Sequence, residues 1–149
     1  MSKVHLIIKG EPVGKQRPKV SMKDGIIRTY TPEKTMKYES LIAHEYMKQY
    51  QKPSFSVDEP IKANVYIHFG LKKSDLGKTG PNKQGREKLE KGFATNPVDI
   101  DNVLKSVFDA LNEICYPDDC QIVAVESCKM YSEKPRVEIV LEGGYENWT

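Results

Sequence analysis

Between residues 99 and 121 the chain reads DIDNVLKSVFDALNEICYPDDCQ. Asp99, Asp101, Asp118 and Asp119 bracket a short apolar-periodic stretch that also carries Lys105. Carboxylates grouped this closely in sequence repel one another wherever they meet, unless protons or a cation offset the charge. Oxygen-only ligands favour a hard divalent ion, Mg²⁺ with Mn²⁺ as a substitute, over zinc or copper. Magnesium keeps several of its waters, so two or three aspartates are enough to hold it. Such an ion beside a lysine in a basic protein points to phosphodiester hydrolysis, with Lys105 neutralising charge on the phosphate oxygens or orienting water. His5, His44 and His68 lie on other expected strands and helices and are read as structural.

A helix over roughly residues 100–114 would place Ile100, Leu104, Val107, Leu111 and Ile114 on one apolar stripe facing a sheet. Asp101 and Lys105, four residues apart, share the flank of that stripe, and Asp99 precedes the first turn. Asp118 and Asp119 follow a Tyr-Pro turn and lead into a strand that can run back beside the helix. Three backbone positions are therefore expected to converge on one point. Taken singly, each feature has a plainer reading: a chance DxD, an Asp-Asp turn, and a surface ion pair worth a few tenths of a kcal/mol. Asp109, further along, reads as structural or supporting. The joint spacing carries the metal hypothesis.

The remaining elements follow from pattern. Residues 4–9 read as a strand, residues 10–20 as a Gly/Pro loop and 26–31 as a second strand. Thr31-Pro32 offers a cap for a helix over about 32–51, with Tyr38, Leu41, Ile42 and Tyr46 on one face. Residues 61–71 alternate as a half-buried strand. Residues 72–96 read as a basic, flexible loop, with a short helix expected near 84–90. Residues 121–131 and 136–142 read as a hairpin turning at 132–135. The order β-β-α-β-α-β-β gives a single α+β domain over residues 1–149, one mixed sheet of about five strands packed with two main helices.

With 38% hydrophobic and 30% charged residues, the 149-residue chain is of globular rather than disordered type. No apolar run reaches the ~20 residues that span a bilayer, and the N-terminus does not read as a signal peptide. Three cysteines without CxxC spacing argue against structural zinc or a disulfide framework and fit a reducing cytoplasm. The net charge of +2 conceals an asymmetry. Residues 9–28 hold six basic side chains against two acidic, and residues 72–91 seven against three, whereas residues 95–120 hold six acids against Lys105 alone. Two basic segments flanking an acidic centre suit a polyanion gripped by its phosphates. Binding is expected from Lys15, Arg17 and Lys19 in the first loop and from Lys72, Lys73, Lys78, Lys83 and Arg86 in the second. The plainer alternative is a pair of solvated loops.

The run DIDNVLKSVFDALN…YPDDCQI resembles the signature of the RusA family of Holliday-junction resolvases, a D-x-D-N-x-x-K-x-x-x-D-A-L segment followed by D-D-x-Q. GEPVGKQRPKV and RTYTPEKTMKYE are similar to the phage and prophage branch, so the likeness runs from about residue 8 to 141. The resemblance implies a homodimeric, metal-dependent endonuclease that cuts four-way DNA junctions by paired nicks, in recombination, repair or phage DNA processing. It places catalytic acids at Asp99, Asp101 and Asp119 and the essential lysine at Lys105, with Asp118 as a further metal ligand. No organic cofactor and no membrane partner are implied. Two other classes stay open: a branched-DNA-binding protein that does not cut, and a DxD-type metal-dependent transferase. The latter is disfavoured by the missing Gly-rich phosphate loop.

Overall fold

The computed structural model describes residues 2–144. Strands β1 (Lys3–Lys9), β2 (Lys19–Lys23) and β3 (Ile26–Tyr30) lead to helix α1 (Glu33–Tyr50) and strand β4 (Ile61–Phe69). Short strands β5 (Leu76–Gly77) and β6 (Gly80–Pro81), helices α2 (Lys83–Lys91) and α3 (Ile100–Leu111), and strands β7 (Ile122–Tyr131) and β8 (Arg136–Gly143) complete the chain.

The main sheet has the order β1-β8-β4-β7. Strand β4 pairs parallel with β7 and antiparallel with β8, which pairs antiparallel with β1. The α+β class with a mixed sheet is as expected, but this sheet has four strands. The expected second strand, residues 26–31, instead pairs with Lys19–Lys23 as a separate hairpin. Its local cause is Asp24-Gly25, both at positive φ (54° and 74°), as a two-residue type I′ connection requires. The chain also departs from the expected hairpin over 121–142. Strands β7 and β8 adjoin in sequence, yet β4 lies between them. The connecting turn crosses the end of β4, where the Ser132 N–H donates to the Phe69 carbonyl at 2.8 Å.

Helices α1 and α3 pack together over one face of the sheet. Val4, Leu6 and Ile8 of β1, all five odd-numbered residues of β4, and Val137, Ile139 and Leu141 of β8 are buried beneath them. The alternation read in β4 is thus realised, and the opposite face is left more polar and only partly covered. Two helix faces differ from expectation. On α1, Thr35 is buried and Leu41 is 40% exposed, because the loop after β1 lies across Thr35 and its Gln16 N–H donates to Thr35 Oγ1 at 3.2 Å. On α3 the buried arc is Val103, Ser106, Val107, Ala110 and Leu111, while Ile100 and Leu104 are half-covered and Ile114 lies past the helix end. Contact with α1 as well as the sheet turns α3 further round than a sheet-only helix would be.

The basic segment after β4 is folded on itself. Buried Asp75 accepts hydrogen bonds from the Lys72 N–H at 2.9 Å and from Gln84 Nε2 at 2.8 Å. It also pairs with Lys88 Nζ at 2.9 Å, which lies over the Tyr131 ring. Asn82 caps α2 through the Gly85 N–H.

Candidate active site

Strands β1, β4 and β7 finish at the same end of the sheet, and the N-termini of α1 and α3 point there too. The loop after β1 is laid over the first turns of α3. Its Lys15 N–H donates to the Asn102 carbonyl at 2.8 Å, and buried Ser106 donates from Oγ to the Val13 carbonyl at 3.0 Å. Gly14 permits this approach: a Cβ there would lie 3.1 Å from Val98 Cγ1 and 3.2 Å from Asn102 Cβ. The result is a cleft of about 690 Å³. One wall carries Gln16, Arg17 and Lys34, and the other Asp99, Asp101, Asn102 and Lys105.

Within the cleft, Asp99 occupies the N-cap position of α3 without hydrogen-bonding the helix through its side chain. Its carboxylate is therefore not spent on capping the helix. Asp101 Oδ2 and Lys105 Nζ are 4.0 Å apart and both well exposed, a pair that water screens strongly. The segment that delivers Asp99 is fixed by Lys129 of β7. Its ammonium donates to the carbonyls of Asn96 at 2.8 Å and Val98 at 2.6 Å, and sits 5.7 Å from the Phe69 ring centre. A second depression, floored by Leu104, Ser127 and Lys129, opens on the other side of Asp99 and Asp101. The two acids thus stand on a ridge with open space on both sides.

Asp118 and Asp119 lie elsewhere. The Asp119 N–H donates to Asn112 Oδ1 at 3.0 Å, at the far end of α3. Eleven residues of helix, at ~1.5 Å each, put that end about 16 Å from Asp101. Strand β7 does run back beside α3, but both acids precede it and stay behind; Ser127–Lys129 are what arrive at Asp99. Among the described residues no group of three or more carboxylate, His or Cys side chains is close enough to hold one metal ion. Asp118 and Asp119 form a pair of their own. The Cys120 N–H, accepted at 3.1 Å, holds the Asp118 carboxyl below its usual range. Burial, and then the neighbouring Asp118, pushes Asp119 upward.

The basic residues divide as well. Lys15 and Arg17 both line the cleft, but the Lys15 ammonium is engaged by Glu39 at 3.1 Å and by Asp109, clamping the loop to α1 and α3. Lys19 begins the β2–β3 hairpin. Lys72, Lys73, Lys78, Lys83 and Arg86 are exposed on the β5–β6–α2 segment, and none lines the cleft. Lys34 and Lys129 belong to the site but were not read from sequence. A single lysine at the SCKMY end of a mostly apolar strand is the available signal for Lys129; Lys34 has the look of any first-turn helix residue.

The donor chemistry at Asp99 and Asp101 fits a hard divalent ion: two exposed carboxylates with room around them for retained waters. A family model described as Endodeoxyribonuclease RusA matches residues 9–142. The chain is 32% identical over 143 residues to Uncharacterized protein YqaN of Bacillus subtilis, covering 95% of this chain and 96% of that one. It is 29% identical over 129 residues to Crossover junction endodeoxyribonuclease rusA of Lactococcus phage r1t, covering 86% and 87%.

Proposed function

The chain belongs to the RusA endodeoxyribonuclease family, and from that premise we propose that it is a Mg²⁺-dependent nuclease that nicks four-way DNA junctions. The observation that carries this reading is the cleft itself, where Asp99 and Asp101 face Arg17 and Lys34 with Lys105 alongside. Asp99 and Asp101 would hold the ion, which when bound polarises a phosphodiester and makes water a competent nucleophile near neutral pH. Arg17 and Lys34 would seat the phosphates of the entering strand across from the acids. Lys105 would balance negative charge on the phosphate as it builds.

The reading includes a homodimer, since two strands must be cut at one junction and a two-fold protein presents two equivalent clefts. A dimer also offers Asp118 and Asp119 a place in the chemistry that one chain does not, by laying the pair of one protomer near the ridge of the other. The separation of these acids within a chain favours one competing reading, junction binding without cutting. A nicking assay on a synthetic four-way junction with Mg²⁺ decides between them. Asp101→Asn is expected to abolish nicking and leave junction binding intact or tighter, because a negative charge beside phosphate is removed. Undiminished nicking by that variant would remove Asp101 from the metal site.

A further inference from the structure

The β2–β3 hairpin is the least accounted-for part of the molecule. It stands outside the main sheet, and every one of its ten paired residues is exposed. An isolated two-stranded ribbon is only marginally stable in water, so a second surface against it is physically expected. The register tells which surface. Cross-strand partners share a face, and Lys19 pairs with Tyr30, Ser21 with Arg28, and Lys23 with Ile26. That face carries three cations, a serine hydroxyl, an aromatic ring and, beside the turn, Ile26. The intervening pairs, Val20 with Thr29 and Met22 with Ile27, make the opposite face uncharged and, apart from the Thr29 hydroxyl, apolar. A ribbon solvated equally on both sides would have no reason to sort its charges in this way.

Resting on the nuclease reading above, we propose that the basic face of this hairpin is a DNA-binding arm that lies along the phosphate backbone of a duplex leading into the cleft. Continuity supports it: the arm leaves the cleft at Arg17-Pro18 and re-enters the body just before Lys34, both residues of the cleft wall. Dimensions support it too. Lys19 and Lys23 are four residues apart, about 13 Å at ~3.3 Å per residue, which covers the axial rise of roughly four nucleotides of a DNA strand at ~3.4 Å each. A concavity here is lined by Ser21, Lys23, Arg28 and Tyr30 together with Ile26, Thr29 and one acid, Asp24 of the turn, so that its cations outnumber its carboxylate by two to one, which suits a sugar–phosphate chain. The contacts are electrostatic and independent of base sequence, as recognition of a junction by shape requires.

The test is junction binding over a salt series by the full-length chain carrying Lys23→Gln and Arg28→Gln together. Each phosphate contact contributes about 0.9 to the slope of log K against log salt, so the slope should fall by about 1.8. The charge-preserving pair Lys23→Arg with Arg28→Lys should keep the parent slope. An unchanged slope, with the parent protein still binding and nicking junctions, overturns the arm and leaves the nuclease reading standing. A change in sedimentation with an unchanged slope also overturns it and makes the hairpin a contact between copies. Should the parent neither bind nor nick, both readings fall.

Discussion

Lys129 shows how a residue remote from the motif governs it. Its ammonium ties two carbonyls of the segment that precedes α3, and so sets where the Asp99 carboxylate stands. In Lys129→Met those half-buried carbonyls lose their donor, at a cost of about 1–3 kcal/mol. Nicking should then need more Mg²⁺ for half-maximal rate while junction affinity holds. A magnesium titration identical to the parent's would show that Lys129 positions nothing. At this scale the residue types were legible. Asp99, Asp101 and Lys105 were read from spacing and do share one cleft. Asp118 and Asp119 were read with them, yet a twelve-residue helix holds the two groups at opposite ends. Sequence gives the chemistry of an acid, whereas the distance across a helix depends on where the following chain is taken up.

Elements were legible where their pattern was self-contained. Strand β4 buries the residues its alternation marked, and α1 and α3 begin within a residue of expectation. The α2 segment was read as mostly loop because its order comes from one buried charge, which no periodicity reports. The Asp75 carboxyl is held below its usual range first by the bond from Lys88 and further by the Lys72 N–H. With the folded value below the unfolded one, this contribution is complete above the ordinary aspartate range and is lost as pH falls through the depressed value. Asp75→Asn should lower Tm by several degrees at neutral pH and flatten the acid limb of the stability curve. The parent and variant curves should converge in strong acid. Parallel curves across the whole range would remove the ion pair as the cause.

For the molecule as a whole, one face of one sheet supplies half of the buried apolar side chains, and the helices and loops over it supply the rest. Ile67 sits in the middle of it, fully buried on the central strand with β8 on one side and β7 on the other. Ile67→Ala should cost about 2–5 kcal/mol in urea unfolding. A loss below ~1 kcal/mol would mean the two sides of β4 do not share a continuous interior. The α+β class was legible because two amphipathic helices and an alternating strand admit few other layers. The strand order was not, because adjacency in sequence favours a simple hairpin and only the tertiary partners of β4 displace it.

That displaced order governs how the chain can fold as it is made. Strand β1 is made before the other strands of its sheet and has no neighbour there until residues 136–143 follow, the two joining through pairs such as Lys3 with Glu142. Nor can β7 and β8 zip together from their turn to seed the structure, for the slot between them belongs to a strand some 62 residues upstream, where Ser127 meets Val65. With no short-range β nucleus inside the main sheet, refolding must close long loops before any of that sheet's contacts repays them, which places this protein among slow folders. Losing only the final strand would leave β1 unattached beside a bare β4–β7 ribbon.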